Sequence, residues 1–211
     1  MCLILKCVVT NGFESGGVEL AKPETFSTLP ARGSGGPSRR NRPSRSTRTG
    51  STVAESAYVD PAATVIGNVT IEADATILPG AVIRGDGGGE VVLREAANVQ
   101  DNVTIHADAP GERVLLEEHA AVGHNAIVHN ATVGAHSLVG MGATVLDGAT
   151  LDPYSVVAAN SLVTEGTTVA SETLVAGTPA EPIREGLDRD GDFFETAAHY
   201  TERVEGLTRS K

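Results

Sequence analysis

The chain has 211 residues, 40% of them hydrophobic but only 3% aromatic, with no tryptophan and 24 glycines. That length accommodates one domain with appendages, and its core has to be assembled from small aliphatic side chains used many times over, which favours a repeat architecture. The net charge of -11 is uneven: residues 1–50 hold eight Lys/Arg and three Asp/Glu, leaving eight and twenty-four for residues 51–211, an acidic body that repels phosphate backbones and anionic lipid and so excludes nucleic acid and membrane as partners.

Residues 1–52 read as a disordered N-terminal extension. "MCLILKC" is too short for a membrane span and lacks the leading basic region of a signal sequence, so the expected location is cytoplasmic. Cys2 and Cys7 are the only cysteines, and the body therefore has neither a disulfide nor a thiolate metal site. Residues 31–52 are mostly Gly, Ser, Pro and Arg with almost nothing to bury. Their arginines are expected to be a solvated, flexible run rather than a grip on an acidic partner.

From Val59 onward aliphatic residues recur every six positions, through Val65, Ile71, Ile77 and Ile83. The count resumes after short insertions at Leu93 and again at Leu116, loses one residue before Val133, and then runs unbroken to Val175, nineteen hexads in all. A period of six matches neither 3.6 nor 2; it is the mark of a parallel β-helix in which each hexad makes one side of a triangular coil. Nineteen hexads predict about six coils over residues 53–182. Past them, "DFFETAAHYTERVEGL" shifts to helical spacing, with Asp192 and Glu195 as a capping box. Residues 183–211 are therefore predicted to carry a C-terminal α-helix packed alongside the coils.

Two histidines in "VGHNAIVH", His124 and His129, stand five apart and point in different directions. If residues 87–92 and 107–115 loop out without adding a side, Ile83, Ile105 and Val128 stack vertically. The outward residue after each is Arg84, His106 and His129, at about 4.8 Å per layer. His124 and Gln100 fall on the neighbouring side. Three such prisms packed about a threefold axis would bring His124 of one subunit to the His106 and His129 pair of the next. Three imidazoles with a fourth position left to water is the arrangement of a catalytic zinc. His119, His136 and His199 occupy no matched slot and are expected to be solvated or hydrogen-bonded.

"RGD" at 84–86, "NVQDNVTIH" at 98–106 and "VGHNAIVH" at 122–129 together resemble, in order and spacing, the signature of the gamma-class carbonic anhydrases, a family of left-handed β-helical homotrimers. The resemblance covers about residues 53–205. It implies zinc, with Fe2+ or Co2+ as alternatives, held by His106 and His129 of one subunit and His124 of its neighbour. It further implies inter-subunit ion pairs from Arg84 and Asp86 involving Asp101, hydrogen bonds from Gln100 and Asn98 around bound water and substrate, and Tyr200 overhanging the site. The implied reaction is reversible hydration of carbon dioxide to bicarbonate, with water acidified by zinc and Gln100 orienting the nucleophile by donating and accepting. The sequence departs from the family where protons leave: Gly87 stands where a glutamate is usual, and the loop "ADAPGERVL" is short, leaving Asp108 or Glu112 as substitutes.

Two other functions fit the repeat. Acetyl-coenzyme A-dependent acyltransferases resemble it, and "VAGTPAEPIRE" is similar to their common close, with Glu181 where lysine is usual. They need one basic histidine and cations for the coenzyme's phosphates, and cations are scarce here. The third reading is a non-catalytic trimer that keeps metal for assembly alone.

Overall fold

The computed structural model describes residues 47, 48, 50–191, 193 and 194. Each hexad folds as its pattern dictates. The repeat-position aliphatic turns inward, so that Ile77, Ile83, Ile105, Leu116 and Val128 are all fully buried. Two residues earlier comes a second inward position filled by something small: Ala75, Ala81, Ala126, then Ser137 and Ser155. This is the two-residue period of a short strand, and the two inward rows together form one continuous core from end to end. Burying each large aliphatic contributes roughly 1.5–3 kcal/mol before chain entropy is counted.

The strands form three parallel sheets, the faces of an all-β solenoid. The first face runs from Thr47–Arg48 through Val82–Gly85, Thr104–His106 and Ile127–His129 to Leu162–Val163. The second runs from Thr52–Val53 to Thr168–Val169, and the third from Tyr58–Val59 to Leu174–Gly177. Seven strands on the first face make seven coils, one more than the hexad count predicts. The extra coil lies at the N-terminal end, where Thr47 pairs with Val65 and Val53 with Ile71. Residues 47, 48 and 50–52 thus belong to this coil, inside the stretch expected to be disordered. Thr47 stands where the repeat would call for an aliphatic residue, which hides the coil from the hexad count. Residues 1–46 and 49 lie outside the described residues.

The insertions add no side, but they loop outward only in part. Glu90–Leu93 and Arg113–Leu116 are strands of the second face, with Val91 and Val114 buried in the core, so the loops expected over 87–92 and 107–115 shorten to 86–89 and 107–112. Ile105 is in register with Ile83 and Val128, and Leu116 with Leu93 and Val133. Corners between faces require left-handed backbone, which costs an ordinary L-residue about 1–2 kcal/mol. Asn102, Asn125 and Asn160 occupy one such column, at φ 58°, 60° and 57°, together with Gly80 and Gly142; asparagine and glycine bear that conformation best. Another corner column contains His119, His136 and Tyr154, all near φ 60°. Their rings stack, His119 on His136 at 4.8 Å and His136 on Tyr154 at 4.7 Å between centroids. Burial, with His119 beside it, holds the His136 imidazole below its usual pKa. Stacking is therefore the use of two histidines that the repeat left unassigned; His199 lies outside the described residues.

After Gly177 the chain reverses, and Ala180–Arg184 pairs antiparallel with Leu174–Gly177 on the third face. This strand begins before residue 183 and crosses into the segment expected to be helical. Leu187 and Phe194 then cover Leu138, Val156 and Leu174, burying a second, smaller apolar cluster against that face. Arg189 bonds Glu172 and lies 4.6 Å from the Tyr154 ring centroid. The helix expected from residue 192 onward, apart from Phe193 and Phe194, lies outside the described residues. No helix among the described residues is long and apolar enough to cross a membrane.

Candidate metal centre

The site begins with three strands of the first face. Ile83, Ile105 and Val128 point into the core, so the next residue of each strand must point out, and Arg84, His106 and His129 fall in register on successive coils. His106 Nδ1 lies 3.2 Å from His129 Nε2, with the rings edge-on at 67°. Two nitrogens bound tetrahedrally at 2.0–2.1 Å from one zinc would stand about 3.3 Å apart. The pair therefore fits two corners of such a site.

Arg84 and Asp86 pair with each other within the chain, Nε donating to both carboxylate oxygens at 3.2 Å and Nη2 to Oδ2 at 3.0 Å. Asp86 Oδ1 is also 3.5 Å from His106 Nε2. The guanidinium of Arg84 holds the Asp86 carboxyl below the usual carboxylate range, with His106 adding a smaller pull.

His124 is two residues past inward Val122, at the end of the third face, and its Nδ1 contacts Asp101 Oδ2 at 2.8 Å. Gln100, on the coil before, is 1% exposed. Its Oε1 accepts the His124 backbone N–H at 3.2 Å, which fixes the orientation of the amide. Asn98 is as deeply buried, its Nδ2 donating to Thr76 Oγ1 at 2.5 Å while its Oδ1 has no partner among the described residues. One chain thus gathers Arg84, Asp86, His106 and His129 on the first face. Asp101, Gln100 and His124 sit around the corner, and Asn98 lies on the third face. Among the described residues of a single chain no three His, Cys, Asp or Glu side chains converge on a metal-sized space. Tyr200 lies outside the described residues.

Two residues the sequence reading passed over complete the surroundings of His129. Asp147 places Oδ2 3.1 Å and Oδ1 3.2 Å from His129 Nδ1. Asn130 donates from Nδ2 to Asp147 Oδ1 at 2.6 Å and to Asp108 Oδ1 at 2.9 Å. Hydrogen bonding from Asn130, reinforced by His129, outweighs partial burial and holds the Asp147 carboxyl below its ordinary pKa. The signal was present: Asp147 follows His129 by eighteen residues, one full coil. Gly87 has a steric reason to be glycine, because a Cβ there would overlap the carbonyl oxygen of Asp108 in the stacked loop below.

No family model matches the sequence. The chain is 41% identical over 138 residues to a carbonic anhydrase of Geobacillus kaustophilus, covering 65% of this chain and 75% of that one. It is 36% identical over 134 residues to the carnitine operon protein CaiE of a Proteus species, covering 64% and 67%. It is 34% identical over 151 residues to the mitochondrial gamma carbonic anhydrase 1 of Arabidopsis thaliana, covering 69% and 54%. Among solved structures, a hexapeptide transferase family protein from Anaplasma phagocytophilum superposes with TM-score 0.67 at 33% identity, covering 75% of this chain and 91% of that one.

Proposed function

Because the chain belongs to the gamma carbonic anhydrase family, we propose that it catalyses the reversible hydration of carbon dioxide to bicarbonate at zinc held between the subunits of a homotrimer. The observation that carries this reading is the His106 and His129 pair, 3.2 Å apart on the outside of one face, with His124 turned away around the corner against Asp101. His106, His129 and the neighbour's His124 would hold the metal, and the same donors accept Fe2+ or Co2+. Bound there, zinc lowers the pKa of a water to about 7 and so supplies a nucleophile at neutral pH.

The chain's own residues do the rest. Asp101 against His124 Nδ1 and Asp147 against His129 Nδ1 orient the rings so that Nε2 faces the site. Gln100, its oxygen engaged by the His124 backbone, turns its NH2 to an oxygen of the substrate. Asp86, kept ionised by Arg84, sets a fixed negative charge beside His106. The exposed loop carrying Asp108 and Glu112 borders the same face and offers the carboxylates through which a proton leaves.

A second reading, acyl transfer from acetyl-coenzyme A, is favoured by the likeness to the Anaplasma hexapeptide transferase family protein. One experiment separates them. Metal per subunit is measured, and carbon dioxide hydration is assayed with zinc and with ferrous iron loaded anaerobically, beside His124→Ala. Hydration that requires metal and disappears in His124→Ala is the expected result. Hydration unchanged in that variant would reject the centre, and acetyl-coenzyme A turnover in its place would install the transferase reading.

A further inference from the structure

We propose that Asp147, braced by Asn130, is a positioning residue that fixes which nitrogen of His129 is offered to a metal; the inference rests on the centre proposed above. An ionised carboxylate only accepts hydrogen bonds. With both Asp147 oxygens within 3.2 Å of His129 Nδ1, that nitrogen carries the proton and Nε2 keeps its lone pair. Nε2 is the atom that faces His106. Metal-binding imidazoles characteristically have their second nitrogen bonded to such a partner, and loss of the partner weakens metal binding about 10–100-fold.

Each of the three histidines has a carboxylate nearby, but Asp147 is the one of the three that is itself clamped by a buried side chain. Asn130, 5% exposed, uses its NH2 on both Asp147 and Asp108, and its Oδ1 accepts the Asp108 backbone N–H at 3.3 Å. Its main chain joins in. Asn130 N–H donates to the His106 carbonyl at 3.1 Å, and its own carbonyl accepts Gly148 N–H at 2.8 Å. One residue therefore ties together the coils bearing His106, His129 and Asp147, and anchors the 107–112 loop to them. The slot has two requirements that asparagine meets at once: a left-handed φ of 44° and an amide long enough to reach two carboxylates.

The test uses the full chain, stripped of metal by a chelator. Zinc affinity is measured by competition with a chromophoric chelator, and Co2+ is added as a spectroscopic probe of ligand geometry. The variants are Asp147→Ala, Asp147→Asn, Asn130→Gly, His129→Ala and Asp152→Asn, the last a control on the second face. Asn130→Gly removes the brace while leaving the left-handed backbone available. The expected result is a 10–100-fold loss of zinc affinity in Asp147→Ala with a changed Co2+ visible spectrum. Asp147→Asn, which keeps an acceptor oxygen, should restore part of the affinity, Asn130→Gly should lose several-fold, and Asp152→Asn should match the parent. Parent affinity and spectrum in both Asp147→Ala and Asn130→Gly, with binding lost in His129→Ala, would overturn the positioning role and leave the centre standing. Zinc binding absent from the parent, or indifferent to His129→Ala, would remove the centre and this inference with it.

Discussion

Single residues carry much of the argument, and Tyr58 provides a check that needs no metal. Its hydroxyl donates to Asp60 Oδ2 at 2.9 Å. Burial first, then that bond and the charge of Asp60, push its pKa from 10.0 up to about 12. The folded state therefore binds the phenolic proton more tightly than the unfolded chain does. The stability this contributes is complete below pH 10 and is lost as the pH rises through about 12. Spectrophotometric titration should show one tyrosine ionising late, and Tyr58→Phe should remove that step; uniform ionisation near 10 would contradict the contact. The corner asparagines make a second residue-scale prediction. At Asn160, exposed and at φ 57°, glycine should be tolerated within a few tenths of a kcal/mol. Alanine should cost about 1 kcal/mol in thermal or urea unfolding, because it keeps the Cβ that opposes that conformation and loses the short amide whose local hydrogen bonding lets asparagine adopt it.

At the scale of the strand, inward and outward residues are coupled, since a three-residue segment such as Thr104–His106 presents its core residue and its histidine side by side. Ile105 is fully buried beneath the column. Ile105→Ala should cost about 2–5 kcal/mol and, by loosening the strand between Arg84 and His129, weaken metal binding as well. Calorimetry and zinc titration on the same sample would reveal a fold effect without a site effect, the outcome that denies the coupling. This same regularity made the fold legible. A repeat of six with one large aliphatic per side can be counted from the sequence, and the count puts Arg84, His106 and His129 in one column, as the strand register does. It stops being readable where Thr47 takes the register position of an aliphatic residue, and where Pro182 disguises a reversed strand. Asp147 escaped because the count followed the residue directly after each aliphatic, and Asp147 comes one later. The setting of the Gln100 amide depends on a hydrogen bond to a residue 24 positions away, which no spacing encodes.

For the whole molecule, the divergence of His124 from His106 and His129 predicts that two defective chains can repair each other. In the proposed homotrimer His124→Ala lacks the donated imidazole, and His129→Ala lacks one half of the receiving pair. Each alone should bind no zinc at the centre. Unfolded together in equal amounts and refolded, they should regain about one site in four, since every mixed ring of three contains one intact junction. Separately refolded and then combined without exchange, they should regain none. Recovery in neither case would mean that the three histidines do not meet across subunits. The reversed strand Ala180–Arg184 has a consequence of another kind. Parallel coils end in open edges that invite a further chain to continue them, tip to tail, into a fibre. Here the third face terminates in a strand of opposite direction that contains Pro182, a residue with no amide hydrogen to offer. A newcomer would need all three edges at once to extend the prism, so sealing one is enough to keep it finite.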